Sequence, residues 1–219
     1  MKHLFSLLLV LTVITGCSEP DRPDVGLYVA IKRGDIDQIE RHIYWHSDIN
    51  EINPDGNTPL HESAIAGRIV ITRLLLQNGA DIDAKNRDGK SVLQLALENG
   101  RVPLAEVLVK KFNVKFDPNT LLFNMVSSAT SDRDVFAFLS HHGADLNAFN
   151  NDGETPLSLA VLSANRLQAK HLINNNADVN QANRHGLLPL DIARQKNSIE
   201  LIRLLENNGA LSGQTTTDN

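Results

Sequence analysis

Cysteine is nearly absent: Cys17 is the only one in 219 residues. No disulfide can form within the chain, so stability in an oxidising compartment has to come from packing. Aromatic residues are scarce, at 5% with one Trp and two Tyr, and alternating β-branched runs are few, which argues against a sheet protein. Positive charge is not in excess. A total of 21 Lys and Arg against 26 Asp and Glu leaves a formal charge of −5, which disfavours nucleic-acid binding. No apolar run reaches the ~20 residues that a membrane helix wants. G-x-S-x-G, H-E-x-x-H and a phosphate-binding glycine loop are missing. The Asp-Gly pairs lack the D-x-D-x-D-G run and closing glutamate of a calcium loop.

What is present begins with Lys2 and His3, followed by Leu4, Phe5, Leu7, Leu8, Leu9, Val10, Leu11, Val13 and Ile14 without a charge between them. A basic start, a short apolar core and small residues at a cleavage point form the layout of a secretory signal. Ile14, Thr15, Gly16 and Cys17 resemble a bacterial lipobox. The resemblance implies a signal peptide over residues 1–16, with Cys17 taking a diacylglycerol and becoming the new first residue. The expected mature chain is anchored to a membrane by its lipid alone. Ser18, where an aspartate would retain the protein at the inner membrane, points to an outer-membrane address facing the periplasm. Residues 17–24, with two prolines and three acids in SEPDRPD, read as a tether. Residues 212–219 have no apolar residue and read as a disordered tail.

Between them the helix period dominates and the chain repeats itself. DGNTPLHESAIAG (55–67) aligns with DGKSVLQLALENG (88–100), DPNTLLFNMVSSA (117–129), DGETPLSLAVLSA (152–164) and HGLLPLDIARQKN (185–197). Thr58, Ser91, Thr120, Thr155 and Leu188 then lie 33, 29, 35 and 33 positions apart, by subtraction of their numbers. A closing phrase recurs in NGADID, HGADLN and NNADVN, and a weaker first copy lies at 30–50. This pattern resembles the ankyrin repeat over residues 25–211. The implied architecture is an all-α solenoid of about six helix-turn-helix units joined by β-turn or hairpin loops. The units fall near 25–52, 53–85, 86–114, 115–149, 150–182 and 183–211.

The local chemistry agrees. Thr58 and Thr155 precede Pro59 and Pro156, so each hydroxyl can cap a helix whose first turn holds a proline. Gly34, Gly67 and Gly100 fall where a left-handed residue ends the first helix. Ile71, Leu74 and Leu75, or Leu104, Val107 and Leu108, space a buried stripe on the second. One such pair cannot bury its apolar face alone, so stacked neighbours make the core. The third and fourth units depart from the pattern at KKFNVKFDP (110–118) and SSATSDRD (127–134). Phe112, Phe116 and Phe123 there read as core residues, with an apolar knob on the binding side as the alternative.

Candidate chemistry is thin. His42 and His46 are four apart on an expected helix, a spacing that can share a metal ion, yet no third ligand matches and His42 aligns with the packing residue Leu75. His141 and His142 are adjacent and diverge on a helix. His61 completes T-P-L-H, which in the family ties loops together. Asp81, Asp83, Asp145 and Asp178 recur with the repeat as turn formers. The reading is a non-enzymatic chain with no metal and no cofactor beyond the lipid on Cys17.

Carried over by offset from the T-P-L-H phrase, the family's partner-facing positions are Asp55, Asn57, Ile65, Arg87, Lys90, Glu98, Asn151, Glu154, Arg184 and His185. Ala66, Asn99, Leu162, Ser163, Leu187, Gln195 and Lys196 complete the surface, with Phe116 and Asn119 from the irregular fourth unit. Mixed charge with some apolar members suits a protein surface better than nucleic acid or lipid. The expected function is an envelope interaction module for one protein partner, such as a periplasmic toxin that it neutralises or an enzyme that it assists. The alternative is an envelope spacer without a dedicated partner.

Overall fold

The computed structural model describes residues 19–212, so Cys17, the lipobox and residues 213–219 lie outside the described residues. Among the described residues twelve helices follow one another in six pairs: α1 (Leu27–Arg33) with α2 (Ile36–Tyr44), α3 (Pro59–Ile65) with α4 (Ile69–Gln77), and α5 (Val92–Glu98) with α6 (Val102–Phe112). Then come α7 (Pro118–Ser127) with α8 (Arg133–His141), α9 (Pro156–Leu162) with α10 (Arg166–Asn174), and α11 (Pro189–Gln195) with α12 (Ile199–Asn207). The all-α solenoid expected from the repeat is what forms. Among the described residues the only extended pairing outside turns is an isolated bridge between Lys85 and Ser91, so the connecting loops are turns rather than full hairpins.

Each first helix packs on the first helices before and after it, from α1 through α3, α5, α7 and α9 to α11, while α6, α8, α10 and α12 stack in a second row. Leu60, Leu93, Leu122, Leu157 and Leu190 hold the same place in five successive first helices and are all buried, and with Leu27, Ala30 and Ile31 of α1 they belong to one continuous core. Helix starts follow the sequence chemistry. Thr58 and Thr155 each accept the backbone N–H three residues on, and the side chains of His61 and Ser158 reach back to the cap N–H, closing two capping boxes. Gly34, Gly67 and Gly100 adopt φ of 77°, 69° and 66° at the turn into the second helix. Ala129, Ala164 and Asn197 do the same work in the last three repeats with φ of 57°, 53° and 53°.

The fourth repeat departs from the rule that a helix starts at the threonine. Asp117 caps α7 instead, its carboxylate accepting the Thr120 N–H at 2.8 Å, so α7 gains a helical turn over residues that form a loop elsewhere. The third repeat supplies the cause: α6 runs to Phe112 and Asn113 ends it at φ 55°, leaving too few residues for a projecting loop. Phe116 turns inward, stacking on Phe138 at 6.1 Å between centroids and meeting the His142 ring edge-on at 5.7 Å. Phe112 and Phe123 are half-buried.

Candidate functional site

Four loops project beside the first helices, each turned by an asparagine. Asn53, Asn86, Asn150 and Asn183 use their side-chain oxygen to accept the N–H of Asn57, Lys90, Glu154 and Leu187, at 2.8–2.9 Å. Gly56 and Gly153 at the tips have φ of 83° and 78°. They are needed there twice over, because the next loop comes close: a Cβ on Gly153 would lie 2.7 Å from that of Arg184, and one on Gly56 would collide with that of Arg87. Adjacent loops are joined through these glycines. Arg87 N–H donates to the Gly56 carbonyl at 3.2 Å and Arg184 N–H to the Gly153 carbonyl at 2.8 Å.

The expected partner-facing residues divide on this frame. Asp55, Arg87, Asn151, Arg184 and His185 are exposed at or beside the tips. Arg184 covers the exposed Phe149 ring at 5.1 Å, and His185 Nε2 donates to the Asp152 carbonyl at 3.0 Å. Lys90 and Glu98 are half-buried and paired at 2.7 Å, with Gln94 Nε2 donating to the same carboxylate at 3.0 Å. Ile65 is half-buried, and its carbonyl accepts Arg101 Nε at 3.1 Å.

Asn57 and Glu154 are corrections. Both are only 9% exposed and are bound within the scaffold rather than offered to a partner. Asn57 donates to Glu62 at 2.9 Å and accepts from the Asn86 amide at 3.0 Å. Glu154 accepts from the Ser158 hydroxyl at 2.5 Å and from Asn183 Nδ2 at 3.0 Å. The offset that leaves Lys90, Asn119 and Leu187 half-buried turns these two toward the next repeat, where a polar side chain waits to satisfy them.

The exposed positions form two groups. Asp55 and Arg87 lie on the second and third repeats, beside the half-buried Lys90–Glu98 pair, and Asn151, Arg184 and His185 lie on the fifth and sixth. The fourth repeat, without a projecting loop, separates them. Its Asn119 is tied down, accepting the Asp145 N–H at 2.8 Å, as Asn50, Asn147 and Asn180 accept from Asp81, Asp178 and Leu211 in the same ladder. Phe149 carries its own sequence signal: an aromatic residue just before a loop, where Lys85 precedes the loop of the third repeat.

The histidines are occupied structurally. His42 bonds Ser47 Oγ at 2.8 Å and the Val25 carbonyl at 2.7 Å, whereas His46 lies beyond the end of α2 at φ 54°. The two do not share a helix face as the i, i+4 spacing suggested. Buried His61 takes the Thr58 N–H on Nδ1 at 3.1 Å. Its other edge lies beside the Ala84 and Lys90 carbonyls without a well-aligned hydrogen bond. Burial pushes this imidazole below its ordinary pKa. Tyr28 donates to the Asn57 carbonyl at 2.8 Å, and burial together with the Glu62 charge pushes its phenol up to about 12. Among the described residues no group of three or more His, Cys, Asp or Glu could hold a metal ion.

Comparison with known proteins places this architecture. The family model described as ankyrin repeats in three copies matches twice, over residues 27–120 and 122–215. A putative ankyrin repeat protein of fowlpox virus is 33% identical over 215 residues, covering 94% of this chain and 54% of the relative. The chain thus spans about half the length of that relative. Among solved structures, a chain from the complex of the Bdellovibrio bacteriovorus predatory endopeptidase Bd0816 with immunity protein Bd3460 superposes with a TM-score of 0.62 at 24% identity, covering 83% of this chain and 96% of that one. The ankyrin repeat domain of Bcl-3 superposes at 0.65 and 23% identity, covering 87% and 89%. With both family matches falling on the stacked helix pairs and their capped turns, the chain belongs to the ankyrin-repeat family.

Proposed function

We propose that the protein is a bacterial lipoprotein, attached through Cys17 to the periplasmic face of the outer membrane, that binds one protein partner through its loop tips and first helices. It performs no chemistry of its own. The observation that carries the reading is the set of charged and amide tips, Asp55, Arg87, Asn151, Arg184 and His185, exposed on loops locked to one another. Side chains held in fixed register by a rigid scaffold lose little freedom on binding, which is how such a surface gains affinity. An immunity protein held against a periplasmic toxin is the most concrete form, and a helper seated on an enzyme is another. The superposed Bdellovibrio chain comes from a complex between an endopeptidase and an immunity protein, which supports a partner of that kind.

The test is capture from the periplasm of the native host, followed by charge reversal of Arg87 and Arg184 together. Glu154 is unsuitable for reversal because it is buried. One stoichiometric partner lost in the double variant supports the module. A partner retained in that variant overturns the assignment of this face, and no partner alongside envelope defects on deletion favours the spacer. Intact mass of the membrane fraction checks the anchor, since Cys17→Ser should abolish the acyl increment and release the chain.

A further inference from the structure

The row of loops has a gap. Loops 53–57 and 86–90 are neighbours, as are 150–154 and 183–187, but between 86–90 and 150–154 the fourth repeat winds the corresponding residues into the first turn of α7. Stacked helix layers lie about 8–10 Å apart, so the two flanking loops stand roughly two layers apart with nothing projecting between them. On its third-repeat side, between α5 and the start of α7, is a cavity of about 330 Å³ lined by Lys85, Gly89, Val92, Lys115, Phe116 and Thr120 among others, all within residues 82–124.

The gap also leaves hydrogen-bonding groups unused that every filled junction employs. The Gly89 carbonyl corresponds to those of Gly56 and Gly153, which accept the N–H of the next loop; among the described residues it accepts none. Asn151 N–H corresponds to that of Arg87 and Arg184, and among the described residues it donates to none. The Asn150 amide corresponds to that of Asn86, which reaches back to Asn57, and to that of Asn183, which reaches back to Glu154. The residue in the matching place, Asn119, has its oxygen committed to Asp145. One side of the opening thus presents an acceptor and the other presents two donors.

We propose that this slot takes a reverse turn of the protein partner as a substitute for the missing loop. The turn donates a backbone N–H to the Gly89 carbonyl and offers a carbonyl or carboxylate oxygen to Asn150 Nδ2 and Asn151 N–H. Its tip enters the cavity over Val92 and Phe116. A two-stranded turn, with chains about 4.8 Å apart, is the polypeptide element whose width suits an opening one layer across. The inference rests on the reading of this chain as a protein-binding module.

The probe is a head-to-tail cyclised peptide carrying Asn-Arg-Asp-Gly-Lys, the residues of loop 86–90, titrated at millimolar concentration into the isotope-labelled protein and followed by NMR. Saturable shifts at the Asn150 side-chain amide, the Asn151 amide and Lys90, whose amide adjoins the Gly89 carbonyl, are expected. The loop 183–187 has the same turn with only one side available and serves as the internal reference; it should respond less. Asn150→Asp keeps the oxygen that holds the Glu154 N–H and removes only the donor, and should weaken binding about tenfold. No shift, equal shifts at both loops, or unchanged binding in Asn150→Asp overturns the slot. Because the peptide needs no native partner, its failure alongside a partner captured through Arg87 and Arg184 removes the slot and leaves the module standing. A peptide response without any captured partner has the opposite meaning.

Discussion

The junction between the fifth and sixth repeats and the junction between the third and fourth solve the same stacking problem with different chemistry. At the fifth, the loops are tied: Arg184 N–H bonds the Gly153 carbonyl and Asn183 bonds Glu154. At the third, no loop remains to tie: Phe116 packs on Phe138 within the fourth repeat, and the repeats meet directly through α5 on α7 and α6 on α8. The fourth repeat is then secured from its far side. Gln168 on α10 points Nε2 at the carbonyls of Met125, Val126 and Thr130, at 3.2, 3.1 and 2.9 Å, satisfying the end of the lengthened α7. Its place in the helix is held by Ile71, Leu104 and Leu201 in other repeats. A solenoid therefore tolerates the loss of a loop contact when a neighbour supplies apolar area and satisfies the exposed backbone.

Removing each device shows which junction depends more on its polar contacts. Gln168→Ala should be the more damaging, at about 2–4 kcal/mol, because it strands the Thr130 carbonyl, takes a second donor from those of Met125 and Val126, and leaves a void. Glu154→Ala, at the regular junction, should cost about 1–2 kcal/mol, since the backbone tie of Arg184 to Gly153 survives. Urea denaturation gives both values, and the comparison breaks if Glu154→Ala proves the worse. A split transition in Gln168→Ala would show the array parting at the fourth repeat.

The capping boxes of the second and fifth repeats offer a contrast in pH. His61 and Ser158 occupy the same position and make the same return bond to the cap N–H, but only His61 titrates. Burial holds it neutral in the fold, with a pKa below the ordinary 6.5. Protonation accordingly favours the unfolded chain: its contribution is fully present above about pH 6.5 and is lost as the pH falls toward the depressed folded value. Burial and the nearby Lys170 hold His171 low as well. The denaturation midpoint should thus fall from about pH 7.5 to about pH 5, and His61→Ser should flatten much of that slope while His171 keeps a remainder. An unchanged slope in His61→Ser would show that the buried imidazole does not carry the acid sensitivity.

How much of this was legible depended on periodicity. The fold, the two threonine caps and the left-handed glycines all followed from residues recurring near every 33rd position. Gln168 carried a readable signal too, a polar residue at an apolar place in the repeat, but its three acceptors lie in the preceding repeat, 38 to 43 positions away. Asp117 as a cap was obscured because Thr120 continues the aligned column, and the competition between them is settled by the length of α6. Among the site residues, offset alone could not separate tip from wall. Asn57 and Glu154 share their offset with the half-buried Lys90, Asn119 and Leu187, and what buries them further is a partner in an adjacent loop, Asn86 or Asn183, that sequence distance does not bring near.

The smallest expected effect concerns the turn between the two helices of a repeat, which differs between the halves of the molecule. Gly67 cannot be changed cheaply: a Cβ would stand 2.7 Å from Arg101 Cδ, with φ at 69°. Ala164 already carries a Cβ in the equivalent left-handed turn, at φ 53°, and is exposed. An L residue there costs about 1–2 kcal/mol, whereas glycine gives back part of that gain by loosening the unfolded chain, by about 0.5–1 kcal/mol. Ala164→Gly should therefore stabilise the protein by about 0.5 kcal/mol, while Gly67→Ala should destabilise it by more, since strain and collision add. If Ala164→Gly lowers the urea midpoint instead, the left-handed alanine is not a source of strain. The greater tolerance of the C-terminal half would then have to come from its packing, where Leu157, Ala160 and Val161 are buried beside that turn.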